Sequence, residues 1–425
     1  MKMSRDFFKR NTEVQNHANI YLSTLNFILL SFALMQVYQN ALFYNLPFPA
    51  NTFLSPPESR FGDLYGVHNA WQANGFSGVG YAHSYFPGMY LMLEVFHKTN
   101  VIFQWPGIWM LMIYLTLTIS LVNWTRRSPI QGIVSASIFV FSYPVLFIWS
   151  TGNLEGVIAM ILLLAIFAFS KNKLTLFVLL IGFAASAKLF PLVFLFILYW
   201  KKEFRVASKL ILLGVLSMLG TMTFSILFLR GGVLTSDNSF MKILENSNQS
   251  RGDYAELMYY SEASIPYGHS FLNGLHAIFG MDFLPTNTFA FPIAILLTVV
   301  VFLPSLFIAY RHRFPDWVVL AILASWTCAT SPTSTDYRLT YFWPALVILL
   351  KAKSFVRKEI LLGLFLILIL APKAYFPLNT HPQATMNVYL GSIMILLVPL
   401  LSVVLFRCGR SHNSEVKSIQ KSQKR

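Results

Sequence analysis

The chain has 425 residues, of which 56% are hydrophobic and 12% charged, and a formal net charge of +15. Soluble domains carry about 25% charged residues, so the balance excludes a soluble enzyme with a single anchor and points to a polytopic membrane protein. The basic surplus is not a nucleic-acid footprint, because it sits in short clusters between apolar runs, where it fixes the orientation of spans.

A run of about 20 apolar residues crosses a bilayer as a helix. In chain order the candidates are 20–38, 101–123, 130–149, 153–170, 174–200, 206–229, 287–309, 317–331, 338–350, 360–376 and 387–406. Lys2, Arg5, Lys9 and Arg10 precede the first run and no small-residue cleavage site follows it, so it reads as a retained span. Segment 82–97 is too short and too polar to cross, and reads as a helix at the outer membrane surface. Two cysteines, Cys328 in an apolar run and Cys408 in the basic tail, give neither a disulfide framework nor a metal-ligand spacing.

Basic clusters mark the N-terminus, Arg126-Arg127, Lys171/Lys173, Lys201-Lys202/Arg205, Arg311/Arg313, Lys351/Lys353/Arg357/Lys358 and the tail from Arg407. All can be cytoplasmic on one condition. The run 174–200, basic at both ends, must enter the membrane and return; a single crossing would put three later clusters outside. Its middle holds Lys188 and Pro191, and proline disfavours helix just before itself. Two arms of about 13 residues reach only about 20 Å each, so their apex is buried in protein or opens on an aqueous cavity. The expected fold is therefore all-α and polytopic, with about 12 crossings, short broken helices and outer-surface helices. A single transmembrane domain occupies 1–406, with non-cytoplasmic loops at 39–100 and 230–286. A basic cytoplasmic tail follows at 407–425, and both termini are cytoplasmic.

On this topology the outer loops hold "FGDLYGVHNAW" (61–71), "STGNLEG" (150–156), the apex at Lys188, "PYGHSFLNG" (266–274) and "SPTSTDYRLTYFWP" (331–344). An ionisable residue at membrane depth costs a few kcal/mol or more and marks a site with a partner. Lys188, Arg338 and His269 carry the charge and donors that grip a phosphate, and Asp63 is a candidate general base. Each has a plainer alternative. Asp63 and Asp336 stand where helix caps stand, and Lys188 near a helix end can snorkel. His269 can be a satisfied interfacial histidine, and Arg338 can pair with Asp336. Asn153 and Glu155 suit the first turn of a span, and Tyr341-Phe342-Trp343 reads as an interface belt.

These segments together resemble the GT-C superfamily of membrane glycosyltransferases, and most closely glycosyltransferase family 87. "GDLYGVHNA", which carries Asp63 and Tyr65, is similar to that family's acidic motif after the first span. "YAHSYFPGMYLML" resembles its Tyr/Pro-rich segment, and "TGNLEGVIAMILLLA", with Asn153 and Glu155, its Gly-Asn span start. "GFAASAKLFPLVFLFILYWKK" resembles its small-residue run followed by Lys-aromatic-Pro. "HSFLNGL", with His269 and Ser270, is similar to its Gln/His-Ser-Leu segment, and "SPTSTDYRLTYFWPAL", with Asp336 and Arg338, to its late Ser-Pro…Asp motif. Thr335 stands where the family more often has tryptophan, and Tyr337-Arg338 where histidine is commoner.

The resemblance implies a polyprenyl- or dolichyl-phosphate sugar donor, mannose-like or a pentose, and a glycan, glycolipid or protein acceptor. It implies inverting transfer at the outer membrane face, with no cofactor and no metal. Asp63 would deprotonate the acceptor, while Lys188, Arg338 and His269 would hold the donor phosphate. Tyr65, Asn153, Glu155, Ser270 and Asp336 are further candidates. The scarcity of cysteine leans toward a bacterial inner membrane. Two other classes use similar parts, a transporter or flippase and a polysaccharide polymerase or ligase with a lipid diphosphate donor. A non-catalytic scaffold on the same fold is a further alternative.

Overall fold

Helix is the regular structure throughout the described residues, as the composition predicts. The computed structural model describes residues 62–74, 85–98, 142–229, 245–246, 249–250, 268–279, 286–331, 336–351, 356–370 and 386–408. The helices are α1 (Gly62–Asn74), α2 (Pro87–Lys98), α3 (Tyr143–Thr151), α4 (Glu155–Ser170), α5 (Leu174–Ala185), α6 (Leu198–Lys201), α7 (Phe204–Phe228) and α8 (Phe271–Phe279). They continue with α9 (Thr286–Leu297), α10 (Leu303–His312), α11 (Asp316–Thr330), α12 (Trp343–Leu350), α13 (Arg357–Ile369) and α14 (Met386–Cys408). Two 3-10 segments, Phe190–Ile197 and Asp336–Phe342, and a π turn, Thr298–Phe302, complete the set. The runs expected at 20–38 and 101–123 and the first part of 130–149 lie outside the described residues.

The run 174–200 is broken where Pro191 requires it. Helix α5 stops at Ala185, and a 3-10 arm begins at Phe190. The chain then returns: the Lys201 ammonium lies 5.8 Å from the centre of the Phe169 ring, at the end of α4. Phe169 in turn packs on Phe177, in the first turn of α5, at 5.3 Å. The second arm therefore ends beside the start of the first.

Other basic clusters among the described residues gather at this same end. Lys201 pairs with Asp316 at 2.6 Å. Phe314 and Trp317 pack on Phe406 at 5.6 and 5.8 Å, and Lys358 lies 4.7 Å over the same ring. Lys351 lies within electrostatic reach of Lys171. The opposite end receives the starts of α1 and α4, the 186–189 break and the Asp336–Phe342 segment.

Two of the described helices are long and apolar enough to cross a membrane, Phe204–Phe228 and Phe291–His312. Leu212, Leu216, Leu219 and Phe224 stand exposed along α7, an outward apolar face that suits lipid rather than water. Helix α11 is the reverse: its 15 residues are buried almost throughout, and it forms the axis on which α12, α14 and the 3-10 arm pack. At about 1.5 Å per residue it is about 22 Å long, less than a hydrocarbon core, and its neighbours supply the enclosure. Helices α5 and α7 cross at Gly182 and Gly214; a Cβ on Gly182 would stand 2.2 Å from the Gly214 carbonyl oxygen. Small residues at such crossings let apolar helices approach closely. Within segment 82–97 the described part forms α2 from Pro87 on, and it is more enclosed than a surface helix: Met89 and Leu93 are fully buried, and it packs on α5 and α7.

Candidate functional site

Three residues, Gly152, Asn153 and Leu154, turn the chain from α3 into α4 and build one wall of the site. Gly152 takes the left-handed conformation, with φ 67°, and its N–H closes α3 on the Ile148 carbonyl at 2.8 Å. Glycine is the residue that adopts this conformation without steric cost. Asn153 then works in two directions. Its Oδ1 accepts the Glu155 N–H at 2.9 Å, capping the first turn of α4, and its Nδ2 donates to Asp63 Oδ2 at 2.6 Å. Asp63 sits in the first turn of α1, so a contact 90 residues apart in sequence anchors the carboxylate. The first-turn alternative for Asn153 and its place beside Asp63 are one and the same geometry.

The 186–189 break builds the second wall. Ending α5 early frees the carbonyls of Ser186 and Ala187, which would be costly if left unpaired away from water. Gly88 N–H takes the first at 3.0 Å and Phe86 N–H the second at 3.2 Å. The approach is so close that a Cβ on Gly88 would lie 1.9 Å from Ser186 Oγ and 2.7 Å from its carbonyl carbon. The start of α2 is thereby locked to the apex that carries Lys188.

Lys188 finds its partner in Glu155: ammonium and carboxylate form an ion pair, the lysine side chain 14% exposed and the glutamate 0%. The ammonium also lies 5.0 Å from each of two ring centres, Tyr85 and Tyr337. Tyr341 donates from its hydroxyl to the other Glu155 oxygen at 2.5 Å. Arg338, 1% exposed, bonds the Ser331 hydroxyl and stacks 4.1 Å over Phe190. Its charge and that of Glu155 lie within electrostatic reach.

Asp63, Asn153, Glu155, Lys188 and Arg338 are thus brought together. Tyr65 is half-buried on α1, two residues beyond Asp63. His269 and Ser270 make their described contacts at α8 and α14. A Cβ on Gly391 of α14 would come within 2.6 Å of His269 Nδ1. Ser270 Oγ accepts the Asn273 N–H at 3.0 Å, capping α8, and its carbonyl accepts from Ser392 at 2.9 Å. The side chain of Asp336, and with it the expected pair with Arg338, lies outside the described residues.

The interface-belt reading of Tyr341, Phe342 and Trp343 is corrected: all three are buried, at 0%, 0% and 6% exposure. Tyr341 turns inward because Glu155 needs a donor there. The sequence held one signal, since Tyr341 follows Arg338 by three residues and so shares its face in a helical segment. Tyr85, Tyr337 and Phe190, which flank the two cations, were also missed as site residues; aromatic residues next to spans read as membrane anchors by default.

Burial raises the pKa of Asp63 above the ordinary carboxylate value. Hydrogen bonding from Asn153 and Thr151 and the charge of Lys188 pull the other way without cancelling it. A carboxylate whose pKa is raised is a stronger base when ionised. One end of an apolar helical bundle therefore carries a carboxylate beside two held cations, the lysine 14% exposed and the arginine 1%.

That arrangement places a carboxylate and two cations together in a helical, apolar protein. Over residues 85–332, more than half of its length, the chain matches Glycosyltransferase family 87. It belongs to that family and is a glycosyltransferase, taking a sugar from a donor to an acceptor. The matched span includes Asn153, Glu155, Lys188 and His269; Asp63 and Arg338 lie outside it. Comparison with the curated proteins and with solved structures finds no match to either.

Proposed function

We propose that the protein is a multi-pass membrane glycosyltransferase that moves a hexose, mannose-like, or a pentose from a polyprenyl-phosphate sugar to a glycan, glycolipid or protein acceptor. The site end of the bundle faces the periplasm or lumen, and the basic end faces the cytoplasm, as the clustering of lysine and arginine favours. A bacterial inner membrane is the favoured setting. The observation that carries the reading is the convergence of Asp63 with the Lys188 and Arg338 cations through the single turn Asn153–Glu155.

In this mechanism Asp63 takes the proton of the acceptor hydroxyl as its oxygen attacks the anomeric carbon. The bond from that carbon to the phosphate oxygen breaks, and the electron pair leaves with the lipid phosphate. Negative charge therefore builds on the phosphate in the transition state. Lys188 and Arg338, already in place, meet it there and lower the barrier more than they favour the ground state. A single displacement inverts the anomeric configuration. His269, seated on α14, enters the reading through the family resemblance alone.

The test uses the full chain in lipid nanodiscs with labelled polyprenyl-phosphate sugars and an acceptor-rich membrane extract, following release of lipid phosphate. Turnover of one donor, absent in Asp63→Asn, is the expected result. No turnover across the panel by folded protein would overturn the reading and favour a diphosphate-donor polymerase or a transporter.

A further inference from the structure

Helices α4 and α12 pack against each other. At the site end Tyr341, just before α12, donates to Glu155 in the first turn of α4. At the opposite end each helix stops on a lysine: Lys171 is the C-cap of α4 and Lys351 the C-cap of α12. The two ammonium groups lie within electrostatic reach. Burial, and after it the charge of Lys171, lowers the pKa of Lys351. Like charges gathered at a half-buried place oppose folding, and an anion set between them reverses the sign. The acids described at this end have other duties. Asp316 is engaged by Lys201, and Glu359 accepts the Val356 N–H at 3.1 Å. Glu203 is the N-cap of α7, between Lys202 and Arg205 in sequence.

The turn that carries Lys171 is tight. Three residues, Lys171 to Lys173, join α4 to α5, and Asn172 takes the left-handed conformation with φ 57°. The backbone N–H groups of Lys171, Asn172 and Lys173 take the carbonyls of Phe167, Phe169 and Ala168 at 3.2, 2.9 and 2.9 Å. The helix end is thus closed by backbone, and the lysine side chains are not needed to close it. Lys171 lies 5.8 Å over the ring of Phe167, which is 44% exposed, and Leu164, one turn earlier, is 54% exposed. An outward apolar strip on α4 therefore leads up to the lysine pair. We propose that Lys171 and Lys351 seat the phosphate headgroup of an anionic bilayer lipid, whose acyl chain lies along Leu164 and Phe167. Charge and apolar surface meet there in the order in which a phospholipid presents them, and basic places between membrane helices take anionic headgroups in this way. Basic residues that only orient spans need no such convergence from two separate helices. The seat is at the end of the bundle away from Asp63 and Lys188, so it stands independently of the donor reading.

The experiment places the full-length protein in nanodiscs of phosphatidylcholine alone, of phosphatidylcholine mixed with phosphatidylglycerol, or of phosphatidylcholine with inorganic phosphate in the buffer. Wild type is compared with Lys171→Gln/Lys351→Gln and with Lys202→Gln/Lys209→Gln, which removes the same charge elsewhere at that end. Unfolding temperature is read in each, and native mass spectrometry counts the phosphatidylglycerol that stays bound. Wild type and the Lys202→Gln/Lys209→Gln control are expected to gain unfolding temperature in the mixture and to retain a bound phosphatidylglycerol. Lys171→Gln/Lys351→Gln is expected to lose most of that gain and the retained lipid. In phosphatidylcholine alone this variant should be at least as stable as wild type, because the repulsion between the two ammonium groups is gone. A purely structural role for the lysines predicts the reverse, so a variant that is less stable there, or unfolded, overturns the inference. Equal gains in all three proteins would show a diffuse surface charge, and no gain in wild type would show no seat; both overturn it. An equal gain from inorganic phosphate in wild type overturns the lipid as occupant and leaves a free-anion site.

Discussion

Asn153 and Asp63 meet at 2.6 Å, and the same asparagine receives the Glu155 N–H at 2.9 Å. One side chain therefore sets the distance between the base and the carboxylate that holds the cation. Asn153→Ala removes a hydrogen bond to a charged group, an interaction of about 1.5–3 kcal/mol, and loosens the α4 cap. Because that bond favours the ionised form, its loss raises the Asp63 pKa further. The acid limb of the kcat/KM profile should move to higher pH in Asn153→Ala, with kcat reduced by roughly 10- to 100-fold. A pH–rate series on both proteins checks this; an unmoved limb would detach Asn153 from the base.

Asp63 itself should trade stability for function. Its folded-state pKa is raised, so the native protein holds this proton more tightly than the unfolded chain does. The stability from that proton is present below the unfolded pKa and is lost as pH rises through the raised folded value. Near neutrality the ionised carboxylate is thus a net burden on the fold. Asp63→Asn keeps an oxygen to accept from Asn153 and removes the charge. Its unfolding temperature should equal or exceed that of wild type near pH 7, with the advantage fading in acid. Transfer should fall by about 10²-fold or more, the usual contribution of a general base. Thermal scans at two pH values beside a turnover assay test both halves.

Much of this arrangement was legible in the sequence. Lys188, Pro191 and the basic ends of 174–200 required a broken, returning segment, and the Ala185–Phe190 break supplies it. Asn153 and Glu155 were marked as candidates because they open an apolar span. What stayed hidden was pairing. Nothing local to Lys188 says that its partner is Glu155, 33 positions earlier, since two charges at span ends also read as independent snorkelling or first-turn residues. Tyr341 was lost to a composition rule, because aromatic residues beside spans are usually membrane anchors. The seat of His269 on Gly391 depends on a helix far along the chain, and no spacing rule reaches it.

The α2 start should prove as important to the site as any charged residue. Gly88→Ala places a Cβ within 1.9 Å of Ser186 Oγ and against its carbonyl carbon. Backbone cannot yield as a flexible side-chain end does, so either α2 or the apex must shift. Overpacking of this kind costs about 1–3 kcal/mol, and here it also displaces Lys188, two residues beyond Ser186. Gly88→Ala should therefore lower the unfolding temperature and raise the donor KM together. At Gly66, where a Cβ meets nothing within 4 Å among the described residues, alanine should leave both nearly unchanged, which makes that variant the control.

The Lys188–Glu155 pair separates folding from chemistry. Removing one partner of a buried pair leaves an uncompensated charge and costs about 3–5 kcal/mol, whereas replacing both with neutral groups is often close to neutral. Lys188→Met alone should therefore fold poorly, with Glu155 buried against an alkyl chain. Lys188→Met combined with Glu155→Gln should recover part of that stability, because neither charge of the pair is left without the other and Tyr341 can still donate to the glutamine oxygen, although Arg338 loses the Glu155 charge. Transfer should not recover, since the ammonium that meets the leaving phosphate is gone. A double-mutant cycle on unfolding temperature and turnover gives the answer. Stability restored without turnover places Lys188 in the reaction. Turnover restored along with stability would make the pair a structural strut, and Arg338 would then be the cation left to meet the leaving phosphate.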